Sequence, residues 1–508
     1  MRGYFLVSKN RTPAVPVPPA RQSKVKSPVE VKRAGAPRRL ISTALPVFWL
    51  LFAINTVNFF DRFLAVAVAP TLKNVFHLTD GNIGALSSAF ILIYTLSALP
   101  LGLLADRVSR AHVVSIGVAI WSVASGATGL ATGLPLLFVS RAAVGIGEAS
   151  YYPAGTALLS AYYSLERRAR IVSRWASGQL VGVALAFGVA AGLSALLGPT
   201  VGWRVAFLIS AIPGFILAVL MWFVANSPMQ APAESSSYAA KVNQELKGHQ
   251  RLFPLFIQGD KPVLAGFITY LRTQLWPRVR LAAHDLWHIL REVARIRTVW
   301  VVSILQALSF IVITPAVTFL PIYLRSTTGP FHLTETLTDA IAGLVIIVGG
   351  LTGQISGGNV ADWLGKRIQG GRILTATVGF GLAVPAYALM LLTHSLVLFA
   401  LFGILAVLAI NLPIGPVLAC AQDVTPTAIR ATALALTLLV GHLCGDVWSP
   451  WAVGMVSTAL GEHVSTSLLI FGAPALTLAA IVGFFGVRVY TAEIRPDSDS
   501  NDAVTAVH

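Results

Sequence analysis

The sequence predicts an all-α integral membrane protein with twelve transmembrane helices, arranged as two pseudo-symmetric halves of six helices each. Three observations predict this fold. Charged residues make up only 11% of the chain and the mean hydropathy is +0.74, whereas soluble domains carry about 25% charged residues. Twelve apolar runs follow one another, each near the ~20 residues that cross the hydrocarbon of a bilayer. A short loop of similar sequence recurs at the same place in both halves.

The apolar runs form two groups of six, separated by a long polar segment. The first group spans residues 46–70, 83–104, 113–131, 135–160, 173–196 and 205–225. The second group spans residues 298–324, 338–361, 371–392, 396–420, 428–456 and 466–489. Around these groups we expect a disordered basic tail at 1–40, a six-helix bundle at 41–226, a linker at 227–297, a second six-helix bundle at 298–490 and a disordered tail at 491–508. An even number of crossings places both termini on one side of the membrane.

The linker ends in a segment that mixes apolar and basic residues at helical spacing, from Leu271 to Arg297. This pattern is typical of an amphipathic helix lying on a membrane surface. A helix packed under the bundle as a spacer fits it equally well.

The positions of the cations identify the side that holds the termini. Of the 37 Lys and Arg residues, 32 lie in the tails, the linker and the loops on the same side as the termini, and five lie elsewhere. This split follows the positive-inside rule and places both termini in the cytosol. It also explains the net charge of +16 by topology, so we expect contacts with membrane lipids and no nucleic-acid partner. The absence of an organelle signal favours the inner membrane of a bacterial cell.

The first apolar run carries a polar stripe formed by Asn55, Asn58, Asp61 and Arg62. At 100° per residue these side chains fall within an arc of roughly 120°, while the opposite face is apolar. A single polar stripe on a spanning helix is expected to face a wet cavity. A helix end, with both charges reaching the headgroups, is the alternative, but the apolar run continues beyond Arg62.

The fourth run carries Arg141 and Glu148 on one face, with Tyr152 one turn further. The two charges are separated by two turns, about 10 Å along the axis, so they need partners from other helices. Asp61 and Arg62 are the available ones. Such a cluster of two acids and two bases is neutral overall, and protonating one carboxylate would free a guanidinium to hold an anionic head group. A structural lock within the first half is the alternative.

The eleventh run places His442 and Asp446 one turn apart, where the pair could relay a proton or only hold the second half together. We also expect Gln179 and Gln306, in the fifth and seventh runs, to line the cavity. No residues show metal-ligand spacing, a nucleotide-binding loop or a nucleophile elbow, so the sequence predicts no enzyme, no cofactor and no bound metal.

The repeated loop follows the second run of each half and combines an acid with several cations. Its residues are Gly102, Asp106, Arg107 and Arg110 in the first copy and Asp362, Lys366 and Arg367 in the second. We expect both acids at cytosolic helix ends, and a carboxylate near a helix amino terminus is stabilised by roughly 0.3–1 kcal/mol. Contacts of the cations with acids or helix ends would then latch the cytosolic side in one state and release it in the other.

The loop pattern G-x-x-x-D-R-x-x-R resembles the signature loop of the major facilitator superfamily, although Ser109 and Trp363 depart from it. Three further stretches resemble the Spinster branch of that superfamily. They are Asn58-Phe-Phe-Asp61-Arg62, the segment from Arg141 to Glu148, and His442-Leu-Cys-Gly-Asp446-Val-Trp-Ser-Pro. The resemblance implies the major facilitator fold, alternating access and transport of amphipathic lipids with one chain and a charged head, with protons coupled in some members. It places the intramembrane charges on Asp61, Arg62, Arg141 and Glu148.

The sequence is thus interpreted as a monomeric secondary transporter of a lysophospholipid or sphingosine-phosphate-like anion, with protons as the coupled partner. An exporter of drugs or small organic anions is the alternative within the same class. A membrane sensor or scaffold without transport activity, or an energy-independent lipid scramblase, is the alternative from another class.

Overall fold

The computed structural model describes residues 38–105, 109–163, 171–172, 174–225, 290–426 and 429–494. Within these residues every regular element is helical, which confirms the predicted all-α class. Several predicted features lie wholly or mostly outside the described residues: the two tails, the amphipathic helix of the linker, and Asp106 with Arg107.

The described part of the first half contains six long helices and one short one. They are α1 (Arg38–Ala67), α2 (Ala69–Val75), α3 (Asp80–Ala105), α4 (Arg110–Gly129), α5 (Leu134–Ala161), α6 (Gly178–Leu197) and α7 (Pro199–Ala225). The short helix α2 follows α1 after a single residue, Val68, and begins with a proline in its first turn, a position that proline favours.

The second half contains eight α-helices in the described residues. They are α8 (Arg297–Arg325), α9 (Glu335–Gly365), α10 (Gly371–Leu392), α11 (Leu396–Asn411), α12 (Ile414–Val424), α13 (Arg430–Gly441), α14 (Ser449–Ala459) and α15 (Val464–Glu493). Two of the predicted runs are broken. Pro413 separates α11 from α12, and a π-helical turn, His442–Asp446, joins α13 to α14. Such turns are frequent at functional sites.

Eleven helices in the described residues are long and apolar enough to cross a membrane, counting α11 with α12 and α13 with α14 as one crossing each. The remaining predicted crossing is α5, which carries Arg141 and Glu148 within its 28 residues. With α5 included, the helices match the twelve predicted runs in order and position.

Glycines allow the helices of the first half to pack closely. Gly182 of α6 lies against the backbone of Thr56 in α1, and Gly147 of α5 lies against Trp121 in α4. A Cβ atom at either glycine would overlap these neighbours, so the short distance between the helices depends on the missing side chain.

The two halves meet along two helix pairs, α3 with α14 and α6 with α9. In the first pair, Gly84 lies against the backbone of Pro450, and Gly454 lies against the backbone of Asp80. In the second pair, Gly343 lies against Phe187. Glycines therefore stand at both contacts between the halves.

We call the end of the bundle at which α1 begins and α15 ends the terminal face, and the opposite end the distal face. At the distal face polar contacts join the halves. Lys73 of α2 forms ion pairs with Asp80 of its own half at 2.6 Å and with Glu462 of the other half at 2.7 Å. The hydroxyl of Thr71 donates a hydrogen bond to Glu335 of α9. The distal face is therefore closed.

Candidate functional site

The central charged pair joins α1 to α5. The Nη2 and Nε atoms of Arg62 both donate to Oε2 of Glu148, at 2.7 and 3.1 Å. The Glu148 side chain is fully buried and that of Arg62 is 29% exposed. Removing one partner would leave the other charge buried and unpaired, which costs about 3–5 kcal/mol. Separating the pair would therefore be costly unless Glu148 is neutralised or another group takes the place of one partner.

Asp61 is adjacent to Arg62 in sequence but faces the interior of the first half. Its Oδ1 accepts a hydrogen bond of 3.0 Å from Ser125 of α4, and Ser125 in turn contacts Ser210 of α7 at 3.1 Å. Asp61 is fully buried, and its Oδ2 atom has no hydrogen-bond partner. The predicted cluster of four charges therefore divides, since Asp61 is held by hydroxyl groups and forms no ion pair with Arg62 or Arg141 in the described residues.

Arg141 lies two turns before Glu148 on α5 and is 7% exposed. Its Nη1 atom has no hydrogen-bond partner, although the guanidinium is within electrostatic reach of Glu148 and Asp61. Its Cζ atom lies 4.9 Å from the centre of the Phe90 ring, and the Cζ atom of Arg62 lies 5.2 Å from the same ring. Cation–π contacts with one phenylalanine thus hold both guanidiniums at the same place.

Tyr94 connects this cluster to the second half. The Cζ atom of Arg62 lies 5.0 Å from the Tyr94 ring centre, and the ring lies edge-on to His442 at 6.4 Å. The sequence analysis missed both Phe90 and Tyr94. The available signal was their spacing of four residues on α3, but aromatic pairs at that spacing are ordinary in any helix.

His442 and Asp446 form a hydrogen bond within the π-helical turn. The Nδ1 atom of His442 lies 3.0 Å from Oδ1 and 3.1 Å from Oδ2 of Asp446. The imidazole stacks on Phe310 of α8, with ring centres 4.8 Å apart. The Thr314 hydroxyl approaches Asp446 at 3.5 Å, the limit for a hydrogen bond. The pair therefore has its partners within the second half and touches the first half through Tyr94.

The other predicted cavity residues have different surroundings. Asn55 is fully buried and donates to the backbone carbonyl of Trp175 at 3.0 Å, so it holds α1 to the chain before α6 and does not line a cavity, contrary to expectation. Asn58 is buried, with no hydrogen-bond partner for its amide nitrogen. Tyr152 is 46% exposed and packs against Trp175.

The two predicted glutamines lie on α6 and α8. Gln179 is half-buried near the start of α6. Gln306 of α8 is 5% exposed and packs against Gly441, the last residue before the π-helical turn. Gln306 therefore lies near the His442–Asp446 pair, and Gln179 lies closer to the terminal face.

The second copy of the repeated loop corrects one expectation. Asp362 lies in the last turn of α9, which ends at Gly365, so this acid is at a helix carboxyl end and not near an amino terminus. The helix dipole does not stabilise a carboxylate there. Lys366 follows the helix, and Arg367 stacks on Trp363, with its Cζ atom 4.2 Å from the ring centre. Trp363, where the loop departs from the superfamily pattern, thus provides an aromatic contact for Arg367.

In the first copy, Gly102 lies in the last turn of α3 and Arg110 is the first residue of α4. Among the described residues, no heavy atom outside the backbone of its own helix and its chain neighbours lies within 4 Å of the position that a Cβ at Gly102 would occupy. Among the residues that the structure describes, no group of three His, Cys, Asp or Glu side chains could hold a metal ion.

The site therefore combines two guanidiniums, a buried acid that neutralises one of them, and two aromatic rings, one of which contacts the second half. The sequence model described as the Major Facilitator Superfamily matches residues 51–449, which is most of the chain. The chain belongs to the major facilitator superfamily. Members of this superfamily are membrane transporters, so the protein is a transporter and not an enzyme.

Within this superfamily the chain is similar to Spinster proteins. It is 24% identical over 460 residues to protein spinster homolog 1 of Xenopus laevis, covering 86% of this chain and 78% of that protein. It is 25% identical over 446 residues to an MFS-type efflux pump of Mycolicibacterium smegmatis, covering 87% of this chain and 90% of the pump.

The fold of this major facilitator protein also matches a solved structure. A bacterial homolog of the human lysosomal transporter Spinster, in an inward-facing and unoccupied conformation, superposes with a TM-score of 0.65 at 21% identity. The match covers 89% of this chain and 97% of the other. Arg62, Glu148 and Arg141 thus lie in a transporter fold, between the helices of its first half.

Proposed function

We propose that the protein moves a lysophospholipid or sphingosine-phosphate-like anion across the membrane by alternating access, and that protons drive or exchange with this transport. The observation that carries the proposal is the buried Arg62–Glu148 pair beside the unpaired Nη1 of Arg141. Two guanidiniums held on one aromatic ring provide a binding place for an anionic head group, and one of them is neutralised by an acid that can take a proton.

The proposed cycle follows from charge balance. When Glu148 is ionised, Arg62 is engaged and the head group meets only Arg141. When Glu148 takes a proton, Arg62 is released from its 2.7 Å contact and both guanidiniums can bind one phosphate. A buried charge without a partner is unfavourable. Proton binding at Glu148 and anion binding at Arg62 therefore favour each other. Asp61 is the second candidate for the protonation site.

The membrane orientation completes the proposal. The positive-inside rule assigns the terminal face to the cytosol and the distal face to the outside, in a bacterial inner membrane. The closed distal face then corresponds to a state open toward the cytosol. The lipid substrate is what the resemblance to the Spinster family implies, and its acyl chain would lie against the apolar walls while its head reaches Arg62 and Arg141.

The test is transport of radiolabelled lysophosphatidylglycerol by proteoliposomes, with and without a pH gradient, where albumin extracts the lipid that remains in the outer leaflet. We expect wild-type transport to follow the gradient. Glu148→Gln, which cannot ionise, is expected to bind the lipid but to lose the response to the gradient. Asp61→Asn tests the second acid in the same assay.

A matched control is Glu493→Gln, the same substitution at the terminal face. Glu493 accepts hydrogen bonds from the backbone N–H groups of Arg297 and Thr298 at 3.0 and 2.9 Å, outside the charge cluster. This variant is expected to keep its response to the gradient. Transport that ignores the gradient in the wild type would overturn the coupling, and a scramblase would then be the better description.

A second candidate function is export of drugs or small organic anions, favoured by the similarity to the mycobacterial efflux pump. Arg62 and Arg141 would then bind a smaller anion at the same place. The same proteoliposomes distinguish the two candidates, since an exporter of this kind would expel an anionic dye and leave lysophosphatidylglycerol in its leaflet.

A further inference from the structure

A buried carboxylate on α9 has no partner among the described residues. Asp339 is 1% exposed, and neither of its side-chain oxygens has a hydrogen-bond partner in this part of the chain. It lies one turn after Glu335, in the part of α9 near the distal face. An ionised carboxylate without hydrogen bonds or a cation is strongly unfavourable in such a place, whereas a neutral carboxylic acid is tolerated.

The position of Asp339 is between two contacts that join the halves. Glu335 accepts a hydrogen bond from Ser194 of α6, and Gly343 packs against Phe187 of α6. Because residues 335, 339 and 343 are spaced by four, they share one face of α9, and this face lies against α6. Between Phe187 and Ser194, α6 contains only Gly, Val, Ala and Leu, so it has no side chain that could bind Asp339.

Few charges are near Asp339. Glu335 is on the same helix, and Arg325 of α8 pairs with Glu335 at 3.3 Å and with the Thr71 hydroxyl at 3.1 Å. This cation is thus already occupied by another acid. The helices packed against α9 supply few other ionisable groups. α6 and α11 contain no ionisable side chain, and the ionisable residues of α8, α10 and α12 besides Arg325 are Arg297, Tyr323, Arg372, Tyr387, Cys420 and Asp423.

Asp80, at the α3–α14 contact between the halves, is a buried acid whose carboxylate oxygens do have partners. It is also fully buried near the distal face, but Lys73 lies 2.6 Å from its Oδ1 and the Ser457 hydroxyl donates to its Oδ2 at 2.6 Å. Asp80 therefore has both a cation and a hydroxyl group as partners when the distal face is closed. Asp339, at the same depth of burial, has neither a cation nor a hydroxyl group.

We propose that Asp339 is a proton-binding site of the distal gate, which takes up a proton when the α6–α9 contact closes and releases it when this contact opens. The proposal rests on alternating access, as in the proposed function, and on no particular substrate. Opening separates α6 from α9 at the distal face and brings water to Asp339, where the ionised form is stable. A proton bound at Asp339 therefore stabilises the closed gate, and under the proposed orientation this proton comes from outside.

The experiment measures the gate without any substrate. Spin labels at Thr200→Cys, at the start of α7, and Thr336→Cys, in the first turn of α9, report the distance across the distal face in the reconstituted full chain. Both native cysteines are first replaced by alanine. Between about pH 5 and about pH 9 we expect the ratio of open to closed gates to rise with pH, by at most about tenfold per pH unit for one proton. Asp339→Asn, neutral and of the same shape, is expected to stay closed throughout.

Asp80→Asn is the matched control, since it removes the charge of a buried acid at the other contact. We expect it to open the gate at every pH by weakening the link to Lys73, while the dependence on pH is retained. The exposed histidines of the distal face among the described residues, His77, His332, His394 and His463, are present in all variants and account for any dependence common to them.

Two results would overturn the proposal. One is that Asp339→Asn retains the full pH dependence of the wild type, and the other is that it opens the gate at low pH, where the wild type is closed. Neither result bears on lysolipid transport, because the distance between the labels is measured without any lysolipid. Conversely, failure to transport any lysolipid would leave the gate measurement intact.

Discussion

The polar groups at the centre of the two halves have different kinds of partners. In the first half, Arg62 and Glu148 pair across two helices, and Arg141, Glu148 and Asp61 each keep one buried polar atom without a hydrogen bond. In the second half, His442 and Asp446 bond to each other within a single turn, and the imidazole stacks on Phe310.

The difference indicates which half binds the substrate. Unused donors and acceptors in a buried site are unfavourable until a ligand or a proton engages them. The charge cluster of the first half therefore has hydrogen-bonding groups available to a ligand. At the same level, the His442–Asp446 pair of the second half is bonded within its own turn, and it meets the charge cluster through the ring of Tyr94. We infer that the first half holds the head group and that the second half supplies the wall that moves. Four substitutions test this comparison, in order of decreasing effect.

Arg62→Ala should have the largest effect, because it leaves Glu148 buried without its cation. We expect the free energy of unfolding to fall by about 3–5 kcal/mol and transport to fall by more than about 100-fold. Thermal unfolding in detergent and lysophosphatidylglycerol uptake measure the two quantities. The double variant Arg62→Gln with Glu148→Gln should regain stability but not transport. Recovery of transport in the double variant would show that the pair is only a structural lock.

Arg141→Gln should separate binding from stability. Its guanidinium has an unpaired Nη1 atom and no ion pair with a described residue, so removing the charge should leave the free energy of unfolding unchanged or higher. Losing one charge-assisted contact of about 1.5–3 kcal/mol should weaken substrate affinity by about 10- to 100-fold. The measurement is the concentration dependence of uptake together with an unfolding curve. A large loss of stability would mean that Arg141 is a packing residue of the first half, and the contrast with Arg62 would disappear.

Much of this arrangement could be predicted from the sequence, and the reason is helical periodicity. Spacing alone put Arg141 and Glu148 on one face, too far apart to pair, and left Arg62 as the available partner for Glu148. What periodicity could not give is the rotation of one helix against the next. That rotation turns Asp61 toward Ser125 and buries Asn55 against Trp175.

Asp339 was missed for a related reason. It is the second residue of the predicted run at 338–361, and an acid at the end of a membrane span is usually hydrated. The helix instead begins at Glu335, and the face that carries Asp339 lies against α6. Burial at the end of a span depends on contact between the halves, which no local pattern in the sequence reports.

Phe90→Leu should have an intermediate effect. The ring holds both guanidiniums, and each cation–π contact is worth about 0.5–2 kcal/mol depending on its desolvation. Leucine keeps the packing but not the electrostatic contact, so we expect substrate affinity to fall by about three- to tenfold. Phe90→Tyr, which keeps an aromatic face, should restore most of it. Equal losses in both variants would point to the shape of the α3 surface instead.

His442→Gln should have the smallest effect if the second half only forms the moving wall of the cavity. Glutamine can donate a hydrogen bond to Asp446 in place of the imidazole but cannot take up a proton at neutral pH. Keeping that bond preserves a net contribution of about 1 kcal/mol, so we expect transport to change by less than about threefold and its dependence on the pH gradient to remain. The measurement is uptake at several external pH values. If the dependence on the gradient disappears while binding persists, then His442 relays the proton as the sequence first suggested. The second half would then share the coupling, and the comparison between the halves would have to be redrawn around Tyr94, which lies between Arg62 and His442.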